Sequence, residues 1–229
     1  MAEGENEVTD LLELTDVIFT AGRVFDNLRC SRPATRALLK TGSTTEIYSR
    51  ADLALLQDLR EAALFVIRNA TLEVDADHLR GINNTLVRSG ARNPGQLRTD
   101  SQNIGVSTVY GRYVPPALTL EKLDDLCRIQ HEKRLDMEMS VEDRAIEIFI
   151  NVSRAQPFED GNKRTALFAA NSMLISAGSL FLLTAPFNDT DSDVTRSFTD
   201  YLARFYLLGE DLNVKQYLQQ HGLQLRQGA

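Results

Sequence analysis

The chain has 229 residues, 43% of them hydrophobic, with 25 Lys+Arg against 32 Asp+Glu and a net charge of −7. That balance supplies a core, argues against wholesale disorder, and disfavours nonspecific binding to nucleic acid or an anionic membrane. Two separated cysteines, Cys30 and Cys127, and three isolated histidines argue against a disulfide scaffold or a zinc site and suit a reducing, cytoplasmic setting.

The acidic start, Met1–Asp10, lacks the basic and then apolar course of a signal peptide. Residues 1–49 read as a helical arm and a candidate regulatory segment, residues 50–210 as the main domain, and residues 211–229 as a C-terminal helix and tail. Ala51–Ala70 sets Leu53, Leu56, Leu59, Ala63 and Val66 along one stripe and predicts an amphipathic helix; Asp77–Val87 repeats the pattern more weakly. Asn93–Ala117 holds Pro94, Gly95, Gly105, Gly111, Pro115 and Pro116 around Val106, Val109 and Tyr113, which predicts a β-hairpin or extended flap. Thr119–Leu135 predicts a further helix. Ser140, followed by Glu142 and Asp143, predicts the start of another that stops near Pro157. Thr165–Asn188 runs for 24 uncharged residues, long enough to span a bilayer. Asn171, Ser172, Gly178 and Pro186, with no aromatic belt, favour instead a buried helix, a turn at 177–179 and a short apolar segment, Leu180–Leu183. Helices at Thr190–Leu208 and Asn213–Gln220 complete an all-α class with a small β-hairpin flap.

Chemistry concentrates in Gln156–Leu167, QPFEDGNKRTAL, between two helices. Free N–H groups and the positive dipole end of a helix start favour phosphate, and Asp160, Gly161 and Asn162 stand where the second helix begins. Lys163 and Arg164 add cationic donors, and arginine's planar fork suits phosphate oxygens. Asp160 is a hard oxygen ligand of the kind Mg²⁺ takes when it bridges phosphates. Phe158, flanked by polar residues, can bury itself and pin the loop. The same residue types are also compatible with an ordinary interhelical turn carrying surface charges.

The string resembles the Fic/Doc motif, His-Pro-Phe-x-Asp/Glu-Gly-Asn-Gly/Lys-Arg, matching it at Pro157, Phe158, Asp160, Gly161, Asn162, Lys163 and Arg164. Upstream, Pro94–Arg98, Gln102–Gly105 and Tyr113–Pro116 are similar to the Fic flap. The resemblance spans roughly residues 50–210 and implies a helical Fic fold. It further implies binding of ATP with Mg²⁺ and transfer of AMP, or in Doc-like members phosphate, to a Ser, Thr or Tyr hydroxyl of a target protein. A toxin–antitoxin setting in a bacterial cytoplasm, with an antitoxin as a second partner, is the Doc-like implication. By position, Asp160 would ligate Mg²⁺, Gly161, Asn162, Lys163 and Arg164 would hold the nucleotide phosphates, and Gln102, Asn103, Ile104 and Gly105 would align the target backbone as an added strand.

Gln156 stands where the family has its histidine, which takes the proton of the attacking hydroxyl. A carboxamide has no usable basicity in water, and loss of a general base typically lowers the rate by about 10²–10⁴-fold. Positioning and charge neutralisation of phosphates can survive that loss, because they supply much of phosphoryl-transfer catalysis. Neighbouring Glu159 is a poor replacement base; His78, His131 and His221 are the remaining histidines. A naturally degenerate protein and an inactivating single-base substitution both account for the glutamine. Lys163 and Leu167, in place of a glycine and a second arginine, bring the ending closer to the Doc-like branch, so AMP and phosphate transfer both stay open. Many Fic proteins also carry an inhibitory helix, Ser/Thr-x-x-x-Glu-Gly/Asn, whose glutamate pairs with a motif arginine. Thr9 and Glu13 match it incompletely, and Glu46 is the candidate inhibitory residue. Two functions follow: an attenuated Fic-type transferase, or a catalytically silent module that binds a nucleotide or a partner protein and regulates it.

Overall fold

The computed structural model describes residues 11–90, 92–137 and 139–226, with the side chains of all but 129–137. The acidic segment Met1–Asp10, Thr9 included, lies outside the described residues, and His131 lies outside the described side chains. In chain order the elements are α1 (Thr15–Asp26), α2 (Arg32–Thr41), α3 (Arg50–Arg68), α4 (Ala76–Asn83), a 3₁₀ turn (Asp100–Gln102), β1 (Val106–Thr108) and β2 (Gly111–Tyr113). There follow α5 (Leu120–Met137), α6 (Val141–Ala155), α7 (Asn162–Ser176), β3 (Phe181–Leu183), α8 (Ser192–Leu208), α9 (Asp211–His221) and β4 (Leu223–Leu225).

Helix α7 lies at the centre, packed against α6, α3, α4 and α1. Leu167, Phe168, Ala169, Ala170 and Leu174 are fully shielded, so it is enclosed on all sides instead of presenting one apolar stripe. Its three alanines, Ala166, Ala169 and Ala170, keep the cylinder slim, which lets neighbouring helices approach closely. Asn171 is a polar residue in that wall. Its Nδ2 donates to the Leu167 and Leu183 carbonyls and its Oδ1 accepts from Leu183 N–H, which fastens β3 to the helix. The uncharged run therefore belongs to a protein core. No helix among the described residues is long and apolar enough to cross a membrane.

Most helix starts carry a side-chain cap: Ser31, Ser49, Asp75, Ser140 and Asp191 each accept a backbone N–H from the first turn. Val17, Ile18, Phe19 and Ala21 of α1 enter the same core as α7. Three local expectations shift. Helix α4 ends at Asn83, four residues before Val87, because the chain turns there and tucks Leu86 beneath the motif loop. The segment Leu180–Leu183 becomes strand β3, antiparallel to a partner β4 whose three residues are too short to show alternation. Helix α8 begins at Ser192, since Asn188 first closes a turn on Thr190 and Asp191. The hairpin β1–β2 pairs Val106 with Tyr113 across Val109 and Tyr110 at its tip, and Tyr113 stacks on Tyr206 of α8.

Candidate functional site

The loop between α6 and α7 is built around one strained residue. Gln156 terminates α6 with φ 48° and ψ 54°, the left-handed region that residues other than glycine seldom adopt. Its conformation is fixed from three directions. Its N–H reaches the Val152 carbonyl at 3.2 Å, its own carbonyl accepts Arg98 Nε at 2.6 Å, and Nε2 donates to the Ser153 carbonyl at 2.5 Å. The remaining amide oxygen accepts from Asn162 Nδ2 at 3.2 Å. Arg98, itself buried, also donates to the Pro115 and Pro116 carbonyls, so one guanidinium ties the motif loop to the base of the flap.

Phe158 is fully buried and pairs in a bridge with Leu97. Asn162 closes the loop, accepting Phe158 N–H at 2.8 Å and donating to the Phe158 carbonyl at 2.9 Å. Gly161 caps α7 at φ 74°; a Cβ there would meet Leu86 Cδ1 at 2.5 Å. Asn83 of α4 holds the same corner, donating to the Asp160 carbonyl and to Thr165 Oγ1.

The charged groups converge at the start of α7. Asp160 is half exposed, and its Oδ1 accepts Gly161 N–H and lies 3.4 Å from Arg164 Nη2. Arg164 is only 2% exposed; its Nη1 donates to Ser89 Oγ at 3.0 Å, and its Nε lies 3.3 Å from Asp26 Oδ2. Its Nη2 has no hydrogen-bond partner, nor has Asp26 Oδ2. Lys163 extends over the Phe25 ring at 5.1 Å. Burial lowers the Lys163 ammonium from its ordinary value, with Asp26 opposing that effect. Burial likewise raises the Asp26 carboxyl, against the pull of Arg164.

A cavity of about 150 Å³ opens among Asp26, Ile104, Gly105, Gln156 and Glu159–Arg164. Lys163 also borders a second cleft of about 460 Å³, between the hairpin and α8. Of the flap residues singled out in the sequence, Ile104 and Gly105 reach the first cavity, while Gln102 and Asn103 form the turn before it. Glu159 borders the cavity with one carboxylate oxygen buried and unpartnered. His78 packs on Phe65 and His221 on Tyr217, and neither lines the cavity. Glu46 sits in an exposed turn between α2 and α3, away from Arg164, and Glu13 is paired with Arg226.

The carboxylate from outside the motif that faces Arg164 is that of Asp26, which the sequence reading passed over. Asn27 adopts the left-handed conformation and ends α1, its N–H and that of Leu28 both donating to the Gly22 carbonyl, which leaves Asp26 at the site. The signal was present in altered form: Gly22, Asp26 and Asn27 keep the spacing of the inhibitory pattern, with glycine for the hydroxyl residue and aspartate for glutamate.

A helical bundle with a hairpin beside a Gly-Asn-Lys-Arg helix start is the Fic fold. A Fic domain-containing signaling protein from Bacteroides thetaiotaomicron is similar at TM-score 0.70 and 16% identity, over 96% of this chain and 86% of that one. Fic-1 (aa134–508) from C. elegans is similar at TM-score 0.66 and 16% identity, over 95% of this chain and 61% of that one. BepC from Bartonella tribocorum, a VirB-translocated effector with bound AMPPNP, is similar at TM-score 0.54 and 16% identity, over 82% of this chain and 91% of that one. Residues 73–174, from the loop before α4 into α7, match the family described as Fic/DOC family, so the chain carries a Fic/DOC segment. No curated protein matches the sequence significantly.

Proposed function

We propose that the start of α7 binds the phosphates of Mg-ATP, and that the chain is a Fic-type transferase of AMP, or in a Doc-like mode phosphate, attenuated by Gln156. The observation that carries this reading is Arg164. A buried guanidinium edge whose Nη2 makes no hydrogen bond and has only the half-exposed Asp160 carboxylate at 3.4 Å, at the positive end of a fifteen-residue helix, is matched to a polyanion. Lys163, its charge disfavoured by burial, gains from the same anion. Asp160 offers one half-exposed carboxylate, which suits Mg²⁺, an ion usually held by one or two carboxylates together with phosphate oxygens. The bound metal would supply charge neutralisation at the phosphates. BepC with AMPPNP, and a Bartonella quintana Fic domain with ADP, support a nucleotide in this fold.

The cavity of about 150 Å³ is small beside ligand pockets, which commonly hold about 300–1,000 Å³. Asp26 occupies part of the phosphate-facing side, and its exchange for the nucleotide would open the site. The cleft beyond Lys163 has room for the nucleoside, and the β1–β2 hairpin offers an edge on which the backbone of a target protein can be held.

At the position of the base, Gln156 can orient a hydroxyl but not take its proton. The test is calorimetry of ATP with and without Mg²⁺, and labelling by ATP marked at the α- or γ-phosphate. Binding should weaken at least tenfold in Arg164→Ala and lose its Mg²⁺ dependence in Asp160→Ala. Gln156→His should raise labelling by about 10²-fold or more, the labelled phosphate deciding between AMP and phosphate. Absence of ATP binding in both the wild type and Asp26→Ala would sink the reading.

One observation favours the silent alternative. Both ends of the Gln156 carboxamide are engaged, by Ser153 and Asn162, so it is a structural brace in the loop. Binding of ATP without labelling in Gln156→His, with target proteins present, would decide for a regulatory module.

A further inference from the structure

Arg164 is held at its other end by a pair of residues from outside the motif. Asp58, on α3, is completely buried, and its carboxylate accepts the N–H groups of Arg88 and Ser89, at 2.8 and 2.6 Å, together with the Ser89 hydroxyl at 2.9 Å. The guanidinium of Arg88 closes on it from the solvent side at 3.2 Å. Ser89 Oγ in turn accepts Arg164 Nη1 at 3.0 Å.

The direction of this relay is fixed by chemistry. A guanidinium can only donate and an ionised carboxylate can only accept, while a hydroxyl has one proton and two lone pairs. The Ser89 proton therefore points to Asp58 and a lone pair points to Arg164. Donation to a buried anion makes that oxygen a stronger acceptor for the guanidinium. The consequence is geometric. With Nη1 anchored, the rotation of the guanidinium is set, and the Nε and Nη2 edge is the part turned to the cavity. In the structure Nε faces Asp26, and Nη2, 3.4 Å from Asp160 Oδ1, makes no hydrogen bond.

We infer that Asp58 and Ser89 are positioning residues that lock the Arg164 fork so that its Nε–Nη2 edge is turned to the cavity, where Asp26 in this structure, or a nucleotide phosphate in its place, meets it beside Asp160. The inference rests on the phosphate reading for its ligand but not for its geometry, and the two can fail separately. Ser89→Ala removes the hydroxyl alone; the backbone N–H groups of Arg88 and Ser89 still seat the loop on Asp58. Ser89→Thr restores the hydroxyl.

The first measurement needs no nucleotide. In ¹⁵N spectra the Arg164 side chain, assigned by its loss in Arg164→Lys, should show slow Nη rotation in the wild type and in Ser89→Thr, and fast rotation in Ser89→Ala. The second measurement is affinity. ATP binding should weaken about tenfold in Ser89→Ala, the range for losing a hydrogen bond to a charged group, with adenosine affinity unchanged. Arg164 rotation as slow in Ser89→Ala as in the wild type would overturn the inference. An equal fall in adenosine and ATP affinity would also overturn it, since that is the mark of general loosening. If the wild type binds no ATP, the nucleotide reading falls and Arg164 rotation alone decides the positioning claim.

Discussion

Two backbone positions in the motif loop have opposite requirements. Gly161 takes φ 74° with Leu86 pressed against the space a Cβ would fill, so a side chain meets both conformational strain and a clash. Gly161→Ala should destabilise by about 1–2 kcal/mol, a fall of roughly 3–6 °C in a thermal melt of a chain this size. A melt indistinguishable from the wild type would show that the loop relaxes at no expense. Gln156 takes a similar left-handed conformation with a full side chain, maintained by four hydrogen bonds. Histidine tolerates that region better than most residues, so the backbone places no obstacle before the Gln156→His test.

At the level of elements, the end of α1 and the start of α7 form one electrostatic unit. Asp26 lies across the arginine that the phosphate reading needs, and the two are brought together by the left-handed turn at Asn27. Asp26→Ala should therefore raise ATP affinity, by about tenfold if the ion pair is the main competitor. Glu46→Gly should leave affinity unchanged, because Glu46 sits in the exposed turn between α2 and α3. Titration of both variants beside the wild type separates the assignments; a gain from Glu46→Gly alone would reverse them.

Across the whole molecule the same pair imposes a pH dependence. Burial raises the Asp26 carboxyl above its ordinary 3.8, and the attraction of Arg164 and Lys163 is already included in that outcome. A carboxyl raised in the fold holds its proton more tightly folded than unfolded. Its ionised form then opposes folding, not at all below the unfolded pKa and fully once the pH has passed the folded one. Asp26→Asn should accordingly raise the melting temperature near about pH 7, and the gain should vanish as the pH falls to about 3. A gain that stays constant over that range would mean that Asp26 stays ionised throughout. The burden on the ionised carboxylate also makes Asp26 a readily displaced occupant, in keeping with exchange for a phosphate.

What the sequence determined by itself was local. The apolar stripe of Ala51–Ala70, the Ser140 cap, the glycine and proline punctuation of the flap and the QPFEDGNKR string are all written within a few residues. Hydrophobic period and turn chemistry act over that range, so the helices, the hairpin and most of the motif loop were legible. Partnership across the chain was not. Asp26 is 138 positions from Arg164, Asp58 acts through Ser89, and Arg98 ties Gln156 to Pro115, contacts for which no spacing rule exists. For Asp26 the altered Gly22–Asn27 pattern was the one local trace; the packing of α1, α3 and α4 around α7 decided the contacts, because a buried charge is satisfied by whatever group the fold delivers within about 3 Å, however far along the chain it began.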